Sequence, residues 1–257
     1  MQMVRGLYTA AMGMMTSQAQ VDVISQNLAN ANTPGYCKDE ALELSFPQMM
    51  LSRLDSNGAT TIGQVGTGNT LAGTYTSFDE GADQETGSPF DLALHGNAFF
   101  TVQDGQGQTY YTRNGDFTLN QQGQLVTSAG DAVLGETNGQ QEEIFVPDGN
   151  LVVAKDGSLS GAVDAQGQAV DGLLLSSKPN AAVWSKIGDS LFSGQAQNPG
   201  QDYTVQQGYS EDSNVNPVDE MVRLIDASRA YEANAKVIQA TDETLNEVAN
   251  NVGNVNQ

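Results

Sequence analysis

The sequence is short of positive charge, cysteine, histidine and aromatic side chains. Ten Lys and Arg stand against 31 Asp and Glu, a formal charge of −21. A surface that acidic repels nucleic-acid phosphates and anionic lipid, so neither is expected as a partner. The acid is dispersed rather than gathered in a block, which argues against an acidic tail. One cysteine, Cys37, permits no intramolecular disulfide and leaves the redox compartment open. No apolar run approaches the ~18 residues that would span a bilayer. Gly6, Thr9, Gly13 and Thr16 interrupt the segment after Arg5, so no cleaved signal peptide is expected and export would need another route.

The chemistry that remains is thin. His95, the one histidine, cannot join a histidine cluster and reads as a hydrogen-bonded or surface residue before Gly96. Cys37 has only Lys38 nearby to lower its pKa and reads as an incidental thiol. The run Gly63-Gln64-Val65-Gly66-Thr67-Gly68 lacks the Lys-Ser/Thr ending of a phosphate loop and reads as an ordinary flexible loop. Asp104-Gly105, Asp148-Gly149 and Asp156-Gly157 lack the EF-hand spacing and read as turns. No catalytic, cofactor-binding or metal-ligating residue is therefore nominated.

What is present is periodicity at both ends. Over residues 3–31, Val4, Leu7, Ala11, Met14, Gln18, Val21, Ser25 and Leu28 fall on alternating three- and four-residue steps. That is a helical heptad seam with polar interruptions, roughly 40 Å long. Asn32-Thr33-Pro34-Gly35-Tyr36 stops it. Over residues 217–252 the steps again alternate: Met221, Leu224, Ser228, Tyr231, Ala235, Ile238, Asp242, Leu245, Ala249, Val252. Asn216-Pro217 supplies a cap and a first-turn proline. Val218, Val222, Ile225 and Val237 widen the stripe enough to serve more than one partner. Both seams carry Ala, Ser, Gln and Asp where Leu or Ile would bury more area, so these helices are expected to draw stability from neighbours.

Between the helices the pattern turns to strands. Phe90–Leu94 alternates, Phe99–Val102 and Thr109–Thr112 flank the turn 104–107, and Asn114-Gly115 is the strongest two-residue hairpin signal. Further strands are predicted at 116–119, 124–127, 144–146, 151–154, 158–160 and 173–176, as a meandering antiparallel body. Residues 52–74 and 193–202 read as Ser/Gly/Asn-rich connectors. The predicted class is α+β. Long terminal helices pair as a coiled-coil-like layer, with a central, mainly antiparallel β domain between them in the chain; the segments are 1–40, 41–74 (connector), 75–210 (β body) and 211–257.

Three motifs carry a resemblance. Met3–Ala11 with Asn27-Leu28-Ala29-Asn30-Ala31-Asn32-Thr33-Pro34-Gly35-Tyr36 is similar to the N-terminal signature of bacterial flagellar rod and hook proteins. Ser213–Asn216, Glu220-Met221-Val222 and Arg229–Val237 resemble their C-terminal signature. Asp91–Phe100 and Tyr111–Phe117 resemble the β domain of the rod type. Cys37 departs from the pattern, since relatives often carry a basic residue there. The resemblance implies a non-enzymatic subunit of the flagellar basal-body rod, of proximal or distal type. Length favours rod over hook, and residues 41–75 lean toward the proximal type. It implies helical polymerisation into the shaft that passes torque from motor to hook. The partners implied are copies of the chain, other rod and hook subunits, and the flagellar export apparatus. The implied place is the basal body within the cell envelope, the rod lying in the periplasm. The family's interaction surface falls on Leu7, Ala11, Met14, Val21 and Leu28 with Leu224, Tyr231, Ile238 and Leu245. Two other classes remain open: a soluble β-domain binding module dimerised through its terminal helices, and an enzyme such as a peptidoglycan hydrolase on a rod-like frame. Sedimentation discriminates the first, and a cell-wall activity assay the second.

Overall fold

The computed structural model describes residues 2–45, 49–55, 58–66, 68–178, 184–200 and 202–254. Helix α1 spans Gln2–Ala29. It is followed by strands β1 (Asp39–Ser45), β2 (Met49–Asp55), β3 (Gly58–Val65) and β4 (Asn69–Thr76). Next come β5 (Asp83–Glu85), β6 (Leu92–Gly96), β7 (Phe99–Gln103), β8 (Thr109–Thr112), β9 (Phe117–Leu119) and β10 (Leu125–Thr127). Then follow β11 (Ala132–Thr137), β12 (Gln140–Glu143), β13 (Val152–Val153), β14 (Leu159–Ser160), β15 (Gly172–Leu173) and β16 (Leu175–Ser176). The chain ends through β17 (Ser185–Ile187), β18 (Leu191–Ser193), β19 (Tyr203–Gln207), β20 (Tyr209–Glu211) and helix α2 (Pro217–Asn254). They divide into two compact units, one of residues 1–29, 39–77 and 216–257, the other of 30–38 and 78–215.

In the helical unit α1 and α2 pack antiparallel. Gly13 lies against Asn234, while Ile24 and Asn27 line one pocket with Glu220 and Ala227. Asn216 caps α2 by accepting the Val218 amide at 3.1 Å on Oδ1, and Asp219 and Glu220 complement the dipole in the first turn. Strands β1 and β4 pair from Asp39↔Thr76 to Ser45↔Asn69, and β2 pairs β3 from Met49↔Val65 to Asp55↔Gly58. The stretch 41–74, read from sequence as a connector, is therefore two antiparallel strand pairs. Its Thr and Gly content hides a strand pattern with weak alternation. The Gly63–Gly68 run starts inside β3, and Thr67 lies outside the described residues.

The β unit is built on a ten-stranded sheet whose main path runs β17-β18-β8-β7-β11-β10-β9. Beneath it Leu92, Leu94, Phe100, Val102, Phe117, Leu125, Val133, Ile144 and Val146 are fully enclosed. A second cluster holds Cys37, Phe99, Trp184 and Phe192, with Phe78 and Tyr111 against it. Its rings meet edge-on or stacked at centroid separations of 4.8–6.3 Å. This order is not a simple meander. Turns set the local hairpins, but β7–β11, β8–β18 and β6–β19 join distant segments because their apolar faces share one core.

One five-residue turn recurs. At Asp104–Gln108, Asn120–Gln124, Thr127–Asp131 and Asp164–Gln168 the first residue's backbone and side chain close the loop, and the fourth residue is a glycine at φ 78–96°. Ala154–Ser158 closes through backbone alone, around Gly157 at φ 82°. Asn114-Gly115, by contrast, is not a two-residue hairpin: β8 and β9 do not pair. Gly115 is needed because its backbone passes the Leu92 carbonyl, which a Cβ would meet at 1.8 Å.

Candidate functional site: the terminal helices and the signature clasp

The face that α1 turns inward is small and polar. Ala10, Thr16, Ser17 and Asn27 are buried, and a Cβ on Gly13 would meet Asn234 Nδ2 at 2.8 Å. On α2 the half-buried or buried positions among the described residues are Pro217, Glu220, Leu224, Ala227, Tyr231, Asn234, Ile238 and Thr241, in alternating steps of three and four, with the seam residue Ala235 half-buried beside Asn234. Leu224, Tyr231 and Ile238 thus stand where the heptad reading put them. Met221, Ser228 and Asp242 do not: the position one residue earlier faces in instead. Burying Ala227 rather than a larger residue lets the backbones approach closely. The side chains of Val4 and Val252, at the two ends of the seams, lie outside the described residues.

Of the nine interface candidates, Ala11, Met14, Tyr231 and Ile238 line one groove of about 530 Å³ with Met15, Gln18, Ala19 and Asp22. Leu7, Val21, Leu28 and Leu224 are half-buried outside that groove, and Leu245 is exposed. The apolar excess of α2 lies on its other side. Val218, Met221, Val222 and Ile225 occupy i, i+3, i+4 and i+7, and all are exposed, Val218 to 66%. Met15 and Tyr8 are exposed on α1 as well.

The terminal signatures also meet in the β unit. Gly35, at φ +63°, donates its amide to the Glu211 carbonyl at 2.8 Å, and Tyr36 is buried. The Tyr36 carbonyl accepts from Ser213 Oγ and the Asn214 amide, while Asn214 Oδ1 accepts the Lys38 amide at 2.8 Å. Lys186 places its ammonium 3.8 Å over the Tyr36 ring and donates to the Cys37 carbonyl at 2.8 Å. Sequence inspection passed over Lys186, because nothing in its neighbourhood marks it. Arg113 anchors the same region. It pairs with Glu211 at 2.7 Å through Nε and donates to the carbonyls of Gly96, Ala98 and Leu94 at 2.7–3.0 Å. Burial raises the Glu211 carboxyl above its usual range, against the pull of Arg113 and the Gly81 amide.

His95 stands 3.1 Å from the Asp83 carboxylate and is partly exposed. Among the described residues no group of three or more His, Cys, Asp or Glu is arranged to hold a metal, and no helix is long and apolar enough to cross a membrane.

Two features define the class: terminal helices that pair and leave an apolar stripe outward, and, within the β unit, the meeting of the turn at Gly35–Lys38 with the segment Glu211–Asn214. The comparisons with known proteins agree with that class. Residues 7–36 match the model "Flagella basal body rod protein", 93–168 the hook protein FlgE/F/G D1 domain, and 206–252 the basal body rod FlgEFG C-terminal domain. The chain is 34% identical over 264 residues to the flagellar basal-body rod protein FlgG of Bacillus subtilis, covering 96% of this chain and 99% of that one. It is 35% identical over 261 residues to FlgG of Caulobacter vibrioides, covering 94% and 97%. To FlgF of the same organism it is 34% identical over 254 residues, covering 97% and 98%. The chain belongs to the flagellar basal-body rod protein family.

Proposed function

We propose that this structural rod subunit of the bacterial flagellum polymerises helically through its terminal helices, alongside other rod and hook subunits, into the shaft that passes torque from motor to hook. The chain is a building block and not an enzyme, it acts in the basal body within the cell envelope, where the rod lies in the periplasm, and it reaches that place through the flagellar export apparatus. The observation that carries the reading is the outer stripe Val218, Met221, Val222 and Ile225, which α1 leaves uncovered. An open helical stack needs different faces of one subunit to meet. The stripe and the Met14–Met15 groove are two such faces on one helical pair. Leu7, Ala11, Met14, Val21, Leu28, Leu224, Tyr231, Ile238 and Leu245 contribute to these contacts. To FlgG and FlgF of one organism the chain is 35% and 34% identical.

The test is the double substitution Val222→Asp with Ile225→Asp. Both sites are exposed, so the isolated chain should keep its stability within about 0.5 kcal/mol. Cells carrying it should lose motility and rod incorporation, as should cells whose chain lacks residues 217–257. Normal swimming in either strain would sink the reading.

A further inference from the structure

We infer that a pocket of about 340 Å³ beside the start of α2 receives a Lys or Arg side chain from a second copy of this chain, with Glu220 as the carboxylate that binds it. The pocket lies wholly within the helical unit. Gln20, Val23, Ile24 and Asn27 of α1 form one wall, Asp39, Glu40 and Ala41 of β1 another, and Glu220, Arg223, Asp226, Ala227 and Ala230 of α2 the third. Four acidic residues and one arginine therefore line the pocket.

Acidity alone would define nothing here, since the whole chain is acidic. The distinguishing observation is Glu220. Its side chain is 95% enclosed, with 5% exposure, and its Oε2 has no hydrogen-bond partner among the described residues. The wall's own cation does not supply one: Arg223 is mostly exposed and stands 3.8 Å from the other oxygen. A carboxylate withdrawn from water and left without a donor is among the costliest groups a fold can carry. Nothing about helix formation requires a glutamate there. Asn216 already caps α2, and Asp219 also complements the dipole.

The cost is removed if a cationic donor arrives from outside. The arriving group must cross a strongly acidic surface, which favours a cation and disfavours any anion or carboxylate-bearing ligand. The same chain offers such groups: Arg5 on α1, and Arg229 and Lys236 on α2, are exposed. Arg229 and Lys236 are seven residues apart and continue the outer line begun by Val218, Val222 and Ile225. A copy that docks by its apolar stripe carries these cations with it. This inference rests on the rod-subunit reading, and it specifies one contact within it.

The experiment uses the full-length chain with Glu220→Gln. A neutral amide is cheaper to enclose than an unpaired carboxylate. The helical melting transition of the isolated chain should therefore rise, by about 2–4 °C, while rod incorporation and swimming fall severalfold. Glu220→Lys should block assembly, and a second change of Arg5, Arg229 or Lys236 to Glu in the same chain should restore it. Lower stability of the Glu220→Gln chain would mean that the carboxylate is already satisfied internally, and would overturn the inference. Restoration of Glu220→Lys only by charge changes in a different rod protein would overturn the choice of a second copy. If Glu220→Gln swims normally while the Val222→Asp, Ile225→Asp chain does not, the pocket falls and the rod reading stands. If neither substitution affects swimming, the rod reading falls with it.

Discussion

The β unit and the helical unit bury different things. In the first, Phe99, Phe100, Phe117, Phe192, Leu92, Leu94 and Ile144 are enclosed almost completely, and a buried arginine is satisfied by three carbonyls and a carboxylate. In the second, the enclosed side chains among the described residues are Ala10, Thr16, Ser17, Asn27, Ser77, Ala227 and Glu220, while Val218, Met221, Val222, Ile225 and Met15 stay in water. At about 25 cal/mol per Å² of apolar surface, the first arrangement is self-sufficient and the second leaves much of its hydrophobic stabilisation unused. A fold that only had to be stable would turn Met221 inward. A subunit that must be joined on several sides keeps its larger apolar side chains for its neighbours.

The contrast can be broken most directly at Phe100. Phe100→Ala should cost about 3–5 kcal/mol in denaturant unfolding, through the cavity left against Phe117. Truncating half-buried Leu224 to Ala should cost only about 1 kcal/mol, and equal losses at the two sites would erase the distinction. Next in size is Gly35→Ala. A Cβ there would lie 2.3–2.5 Å from the Arg113–Asn114 backbone, and its φ of +63° is left-handed. The conformation alone costs about 1–3 kcal/mol for a non-glycine residue, and the overlap adds to it. The loss should appear as loosened hydrogen exchange at Tyr36 and Asn214, and unchanged protection there would refute the clasp.

The smallest effect is the pH response of Glu211. Its folded pKa is raised, so the folded state holds its proton more tightly than the unfolded chain does. The contribution is full below the unfolded value of about 4.3. It is lost as pH rises through the folded value. Glu211 should titrate above the exposed glutamates by carboxyl NMR, and a value at or below theirs would contradict the burial argument.

Much of this was legible in the residues. Alternating three- and four-residue steps placed both helices, because helical periodicity is local. Gly149 and Gly157 take positive φ where Asp148-Gly149 and Asp156-Gly157 read as turns, because a positive φ is a demand on single residues. The register of the seam was not legible. Heptad arithmetic accepts Met221 or Glu220 at alternate steps, and only close approach to α1 chooses between them. The strands in 41–74 escaped notice because Gly, Thr and Ser carry little alternation. Asn114-Gly115 misled because a close pass by Leu92 uses the same glycine a hairpin would.

The order of elements, the two helices, the acidic surface and the three family signatures were determined by the sequence alone, each being a property of neighbours along the chain. Which strands pair across long separations, which face of α2 is buried, how Lys186 and Asn214 close on the Tyr36 turn, and that Glu220 Oε2 meets no donor among the described residues were decided by tertiary structure. Those outcomes depend on groups that meet only after folding, when burial sets the energy of every apolar surface and every unpaired charge.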